Sequence, residues 1–200
     1  MADKVTQAGA EEYNRACFLV GRFMYHWALL DSAVNDALGK LLGMGNLEEA
    51  IVTANANFRA KTNILKSFVD LKGGEANWAK AAIKDIQAIA DLSNERNTVV
   101  HNVFGPESNG DVRFLHVKAN SKLTFPDTVW SPEYFAERWN LAKDLRTRVE
   151  SLVERMTKKP FTLGELLLEY AKKQPPEQAH GNYLGRLLQG DLNSQTAKSE

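Results

Sequence analysis

Apolar residues of this chain recur every three or four positions over long stretches, which is the period of an amphipathic helix. The first stretch covers residues 11–42. The second covers residues 51–73 and ends at Gly73-Gly74, where two glycines favour a helix end and a turn. Because each amphipathic helix must bury its apolar face against another element, the pattern restricts the chain to helices packed side by side.

A third periodic stretch covers residues 75–101, and Pro106 prevents this helix from continuing much further. The following residues change period: side chains alternate in character around Phe114 and His116, and the segment before them is rich in turn residues. This alternation predicts a small β-hairpin at about residues 103–125.

The fourth helix has a clear start at Ser131-Pro132-Glu133, which combines a hydroxyl cap, a proline at the first helical position and a carboxylate in the first turn. Its apolar stripe ends near Met156. We therefore expect an all-α fold, an antiparallel four-helix bundle in residues 1–157 with the β-hairpin inserted between helices three and four.

Residues 158–200 are expected to form a short helical C-terminal extension with a disordered tail. Thr162 and Glu165 have the spacing of a capping box and predict a short helix through Tyr170. A second short helix is predicted at residues 183–188, and the polar residues 191–200 are predicted to be disordered.

Charge and cysteine content narrow the functional classes. Lysine plus arginine equals aspartate plus glutamate at 25 each, so any binding of nucleic acid has to be local. Cys17 is the single cysteine, which excludes an intramolecular disulfide, and we expect it to pack in the core. Residues 1–12 lack the apolar run of a signal peptide, and no segment approaches about 18 uninterrupted apolar residues. We expect a cytoplasmic protein without a membrane partner.

The chemistry of the chain is concentrated in the sequence Arg-Asn-Thr-Val-Val-His, from Arg96 to His101, at the end of the third predicted helix. On an ideal helix Arg96 projects within about 20° of Ile89, into the apolar stripe, where a guanidinium needs a partner or an opening to solvent. A phosphate would bind it bidentately. Asn97 lies on the same side as His101, four residues later, so its amide can orient the imidazole or share a ligand with it. Arg96 and His101 diverge by about 140°, and we expect them to flank a shared cleft.

A purely structural interpretation remains open at this point. In it, Arg96 pairs with a carboxylate on a neighbouring helix, while Asn97 and His101 end the helix by bonding its free carbonyl groups. Asp31 is a candidate partner for a cation of the motif or a solvated charge, and Lys61 is expected to snorkel from an apolar stripe. The remaining histidines are scattered without zinc-ligand spacing, so no metal or cofactor is expected, and His26 is expected to pack beside Trp27.

The motif formed by Arg96, Asn97 and His101 resembles that of the HEPN superfamily, whose members are all-α domains with arginine, often a polar residue, and then histidine at the end of the third long helix. The similarity extends over about residues 11–156 and includes the region of Asp31 and the stretch before Ile64. Only the motif is specific to the superfamily. The surrounding residues are similar only in their general pattern of apolar and polar positions.

The resemblance implies metal-independent RNA cleavage by a homodimer that brings two copies of the motif together, in a toxin–antitoxin, phage-defence or RNA-processing setting with an antitoxin protein as a possible partner. Cleavage by the 2′-hydroxyl of RNA requires a base, an acid and positive charge beside the phosphate. His101 is expected to act as the acid/base, Arg96 as the phosphate clamp and Asn97 as an orienting or binding residue. Two alternatives remain: a non-catalytic HEPN-like module that binds nucleotides or a protein, and an interaction protein in which the motif is a coincidence.

Overall fold

The computed structural model of this chain describes residues 2–73, 76–115, 118–120, 122–124 and 127–158. This part of the chain is mostly helical, with a small three-stranded antiparallel sheet and a separate two-stranded hairpin. In chain order the elements are α1 (Ala2–Leu42), α2 (Asn46–Asn55), α3 (Phe58–Gly73), α4 (Asn77–His101), β1 (Val103–Pro106), β2 (Val112–Leu115), β3 (Lys118–Asn120), β4 (Lys122–Thr124), β5 (Asp127–Trp130) and α5 (Pro132–Thr157).

The long helices bury the apolar stripes that the sequence predicts. Helix α1 packs along α5, α4 packs against both α3 and α5, and α1 also contacts α3. The predicted stripe of α1 is buried at Phe23, Leu30 and Val34, and it meets Ile89 of α4 and Leu145 of α5 in one core cluster. Burial of these side chains is the main stabilising contribution to the fold. Helix α1 begins at Ala2, earlier than the expected start at residue 11.

The prediction of one continuous second helix is wrong, because this stretch forms two helices, α2 and α3. The break lies at Ala56, whose backbone is extended at φ −87° and ψ 127°. The backbone N–H of Ala60 donates to Asn57 Oδ1 at 2.9 Å, so the asparagine side chain satisfies one of the free donors at the start of α3. Ile51, expected on the buried stripe, is 57% exposed. Asn57 therefore caps the start of α3, which lies beside α1.

The insertion between α4 and α5 is larger than the expected hairpin. Strands β1 and β2 form the antiparallel pair that the alternation predicts, with Phe114 buried and Leu115 exposed. Strand β5 was not expected, and it pairs with β2 in a register that places Trp130 opposite Val112. The Trp130 ring packs against Phe114 with centroids 5.1 Å apart and joins the sheet to the helical core. His116 lies outside the described residues.

The start of α5 confirms the predicted cap. The backbone N–H of Tyr134 donates to Ser131 Oγ at 3.2 Å, and Pro132 occupies the first helical turn. Cys17 is half-buried and does not belong to the core cluster, so the expectation that it packs in the core is wrong. The helices expected at residues 162–170 and 183–188, and the expected tail, lie outside the described residues. Within the described part of the chain, no helix has the length and apolarity to cross a membrane.

Candidate functional site

A cleft of about 770 Å³ opens between α1, α3 and α4. Helix α1 contributes Trp27 and Asp31, the start of α3 contributes one wall, and the second half of α4 contributes the other, including Arg96 and Asn97. Six charged side chains line the cleft, four cationic and two acidic: Arg59, Lys61, Lys66, Arg96, Asp31 and Asp91. The balanced overall charge of the chain therefore conceals a locally cationic cleft.

Arg96 is half-buried in this cleft. Its Cζ lies 6.0 Å from the centroid of the Trp27 ring, and its Nη1 donates to Asn97 Oδ1 at 3.2 Å. The Nε atom is buried and has no hydrogen-bond partner, and no carboxylate among the described residues forms an ion pair with Arg96. The carboxylate partner that the structural interpretation requires is thus not observed there. A half-buried guanidinium with an unused donor is stabilised by an anion that enters the cleft.

Asp31 pairs with Lys61 instead of Arg96. Their Nζ and Oδ1 atoms are 3.1 Å apart, and the Lys61 side chain is only 8% exposed. The expectation that Lys61 snorkels to solvent is wrong, because the start of α3 brings its ammonium group against Asp31 of α1. This ion pair joins the two helices at the cleft wall and neutralises the acidic side chain there.

A second polar connection joins α3 and α4 at the other side of the cleft. Lys66 Nζ donates to Gln87 Oε1 at 2.8 Å, and Gln87 Nε2 donates to Asp91 Oδ1 at 3.0 Å. Sequence reasoning missed Arg59 and Lys66 as candidate site residues. A signal for them was present: Asn57 has the cap spacing of a helix start, and Phe58-Arg59 follows it directly.

His101 lies apart from the cleft. It is the last residue of α4 and is exposed, and the next residue, Asn102, has an extended backbone at φ −123° and ψ 145°. The cleft lining includes Arg96 and Asn97 and does not include His101, so within a single chain this cleft is not flanked by both Arg96 and His101. The cause is the helical rotation of about 140° between residues five positions apart.

The predicted link between Asn97 and His101 is also absent from the described residues, since the Asn97 oxygen accepts from Arg96. Asn102, and not Asn97 or His101, bonds a free carbonyl group at the end of α4: its Nδ2 donates to the Thr98 carbonyl at 2.6 Å. Asn97 and His101 therefore have no such structural function in the described part of the chain. The exposed His101 side chain and the Asn97 amide nitrogen can therefore contact a ligand or a partner.

Exposed apolar residues precede and follow His101 in the sequence. Val100 precedes it, and Val103, which is 71% exposed, follows two residues later at the start of β1. Val103 lies directly opposite Leu115 in the β1–β2 register, and both side chains are on the outer face of the sheet. Exposed apolar groups that are close together are typical of interaction surfaces.

The other described histidine differs from His101. His26 is half-buried, and desolvation lowers its pKa, with Lys143 and Arg22 adding smaller effects in the same direction. Its Nδ1 has no hydrogen-bond partner among the described residues, and its ring contacts Tyr25 edge-on at 5.3 Å. This location agrees with a packing residue, and His26 does not line the cleft.

No protein-family model matches this chain, and searches of curated proteins and of solved structures found no match. Within the described ranges, no group of three or more histidine, cysteine, aspartate or glutamate side chains is arranged to hold a metal ion. The cleft presents arginine, lysine, amide and carboxylate side chains, and His101 is exposed at the end of the same helix as Arg96.

Proposed function

We propose that this chain is a HEPN-type endoribonuclease that cleaves RNA without a metal ion, at a site completed by a second copy of the chain. The observation that supports this most is the state of Arg96, which faces an open cationic cleft with a buried donor that has no partner among the described residues. Phosphate is one of the biological anions that fit a guanidinium bidentately. In this proposal α1, α3, α4 and α5 are the four helices of an antiparallel HEPN bundle, and the motif lies at the end of α4.

The proposed reaction begins at the 2′-hydroxyl of RNA. The neutral imidazole of His101 accepts the hydroxyl proton, and the oxygen forms a bond to phosphorus while the bond to the 5′-oxygen breaks. The partner subunit's His101, as imidazolium, donates a proton to the leaving 5′-oxygen. Arg96 stabilises the charge that develops on the phosphate oxygens, and Asn97 holds the guanidinium through the observed hydrogen bond. The products are a 2′,3′-cyclic phosphate and a 5′-hydroxyl.

A second copy is needed because one chain supplies a single exposed imidazole at the end of α4. Near neutral pH, histidine populates both the basic and the acidic form, so two copies of His101 can divide the two proton transfers. A two-fold contact through Val100, Val103 and Leu115 would be self-complementary and would place the two His101 residues close to each other. A cytoplasmic location and an antitoxin partner in a toxin–antitoxin or phage-defence setting are part of the same proposal.

A non-catalytic HEPN-like module that binds nucleotides is the second candidate. One specific observation favours it: Arg96 and Asn97 line the cleft while His101 does not. Such a module would bind RNA or a nucleotide at the cleft and leave it intact.

An assay for RNA cleavage in the presence of a chelator distinguishes the proposed nuclease from the non-catalytic module. The purified full-length chain is expected to cut 5′-labelled single-stranded RNA in EDTA and to leave fragments that end in 2′,3′-cyclic phosphate, because the proposed nucleophile is the 2′-hydroxyl. The ends are identified by mass spectrometry. An RNA with 2′-deoxyribose on the 5′ side of the cut bond is the control and is expected to stay intact. Loss of cleavage in EDTA, or fragments with 3′-hydroxyl ends, would contradict the proposal, and bound but uncut RNA would support the second candidate.

A further inference from the structure

The cleft holds more positive charge than one scissile phosphate requires. Asp31 is paired with Lys61, and Asp91 keeps its negative charge while it accepts a hydrogen bond from the uncharged Gln87 amide. The three remaining cations, Arg59 and Lys66 on α3 and Arg96 on α4, exceed this one carboxylate by two charges. Arg59 is exposed and has no ion-pair partner among the described residues.

The uncharged part of the cleft suits a nucleobase. Phe58 is half-buried in the wall, with its ring centroid 4.8 Å from that of Trp27, and it retains some exposed surface. Asn63 and Asn94 are exposed and line the same cleft, where their amides offer both donors and acceptors. The cleft volume of about 770 Å³ lies within the range of sites that enclose a small ligand.

We infer that this cleft is a subsite for single-stranded RNA that binds the nucleotide next to the cut bond. Arg59 and Lys66 contact the backbone phosphate of that nucleotide, and its base lies against Phe58, Asn63 and Asn94. The choice of RNA as the ligand rests on the proposed function. Single strands are favoured because an unstacked base can enter a cleft between helices and present its edges to amide groups, whereas the bases of a duplex stay stacked.

The test removes two charges from the cleft without touching the motif. The variant carries Arg59→Gln and Lys66→Gln, and the matched control carries Lys143→Gln and Arg146→Gln on α5, which loses the same charge away from the cleft. Binding of a fluorescent ten-nucleotide 2′-O-methyl RNA, which cannot be cleaved, is measured by anisotropy at several salt concentrations with the full-length chain. His101→Ala is measured in parallel.

The cleft variant is expected to bind about tenfold more weakly or worse, and its slope of log affinity against log salt is expected to be smaller by about 0.7, since the contact with one phosphate of a single strand contributes about 0.7. The control is expected to bind like the wild type. In cleavage assays the variant is expected to raise KM with little change in kcat, because Arg59 and Lys66 do not contact the reacting atoms.

The outcomes distinguish this inference from the proposed function. Equal binding by the cleft variant and the wild type, or an equal loss in the α5 control, would overturn the inference even if RNA is cleaved. Competition by a free mononucleotide at the same concentration as the oligonucleotide would also overturn it, because the cleft would then be a site for free nucleotides. If the wild type binds RNA through the cleft and never cleaves it, the inference holds and the proposed nuclease activity fails.

Discussion

Replacement of His101 with alanine is expected to lower the rate of RNA cleavage by about 10²-fold to 10⁴-fold, the usual contribution of a positioned acid or base. The effect should reach the upper part of that range, because a dimer of this variant lacks both the base and the acid. Cleavage rates are measured under single-turnover conditions with the labelled RNA used for the wild type.

The same substitution is expected to leave the fold intact. The His101 side chain is exposed at the end of α4, and the carbonyl of Thr98 is bonded by Asn102 instead. Circular dichroism and the mass of the particle in solution should therefore match those of the wild type. His26→Asn removes the other described histidine and should keep wild-type cleavage. A His101→Ala protein that cleaves nearly as fast as the wild type would remove His101 from the mechanism.

Replacement of Arg96 with glutamine is expected to lower the cleavage rate by about 10²-fold to 10³-fold, comparable to the loss of one donor that stabilises a developing anion. The free energy of unfolding should stay the same or rise, because the substitution removes a half-buried charge that forms no ion pair among the described residues. This combination of lost activity and kept stability distinguishes a ligand-binding arginine from a structural one. Urea unfolding is measured alongside cleavage.

Arg138→Gln is the matched control for this prediction. Arg138 on α5 is also half-buried, but it pairs with Glu95 of α4 at 3.2 Å, so its replacement leaves a partly buried carboxylate without its cation. The control should lose stability and keep cleavage. If Arg96→Gln behaves like Arg138→Gln, Arg96 has a structural role and the phosphate clamp is wrong.

The helical part of the fold was predictable because local patterns determine it. The three-to-four periodicity located α1 and α4, and the cap at Ser131 located the start of α5. Periodicity alone does not distinguish a buried apolar stripe from an exposed one. The exposed Ile51 was therefore counted on the same stripe as the buried residues of α3, and the two helices were predicted as one. The cap at Asn57 marks the break, and the apolar pattern by itself did not locate it. Strand β5 depends on pairing with β2 across the inserted hairpin, a long-range contact that short-range patterns do not encode.

The candidate site was predictable in part. The angular position of Arg96 on its helix predicted a half-buried guanidinium, which the structure has. The pairing of Asp31 with Lys61, and the presence of Arg59 and Lys66 in the same cleft, depend on how α3 is placed against α1 and α4. The angle of about 140° between Arg96 and His101 was known from the sequence, but only the packing shows that the cleft opens on the arginine side alone.

Cleavage by mixed dimers tests most directly whether two His101 residues form one site. Wild-type and His101→Ala subunits are exchanged by unfolding and refolding together at equal amounts, with total protein held constant, and exchange is verified with a tag on one of them. About a quarter of the dimers then hold two wild-type copies, and we expect about a quarter of the wild-type rate. A rate of about half, as expected when each subunit acts alone, would contradict the shared site.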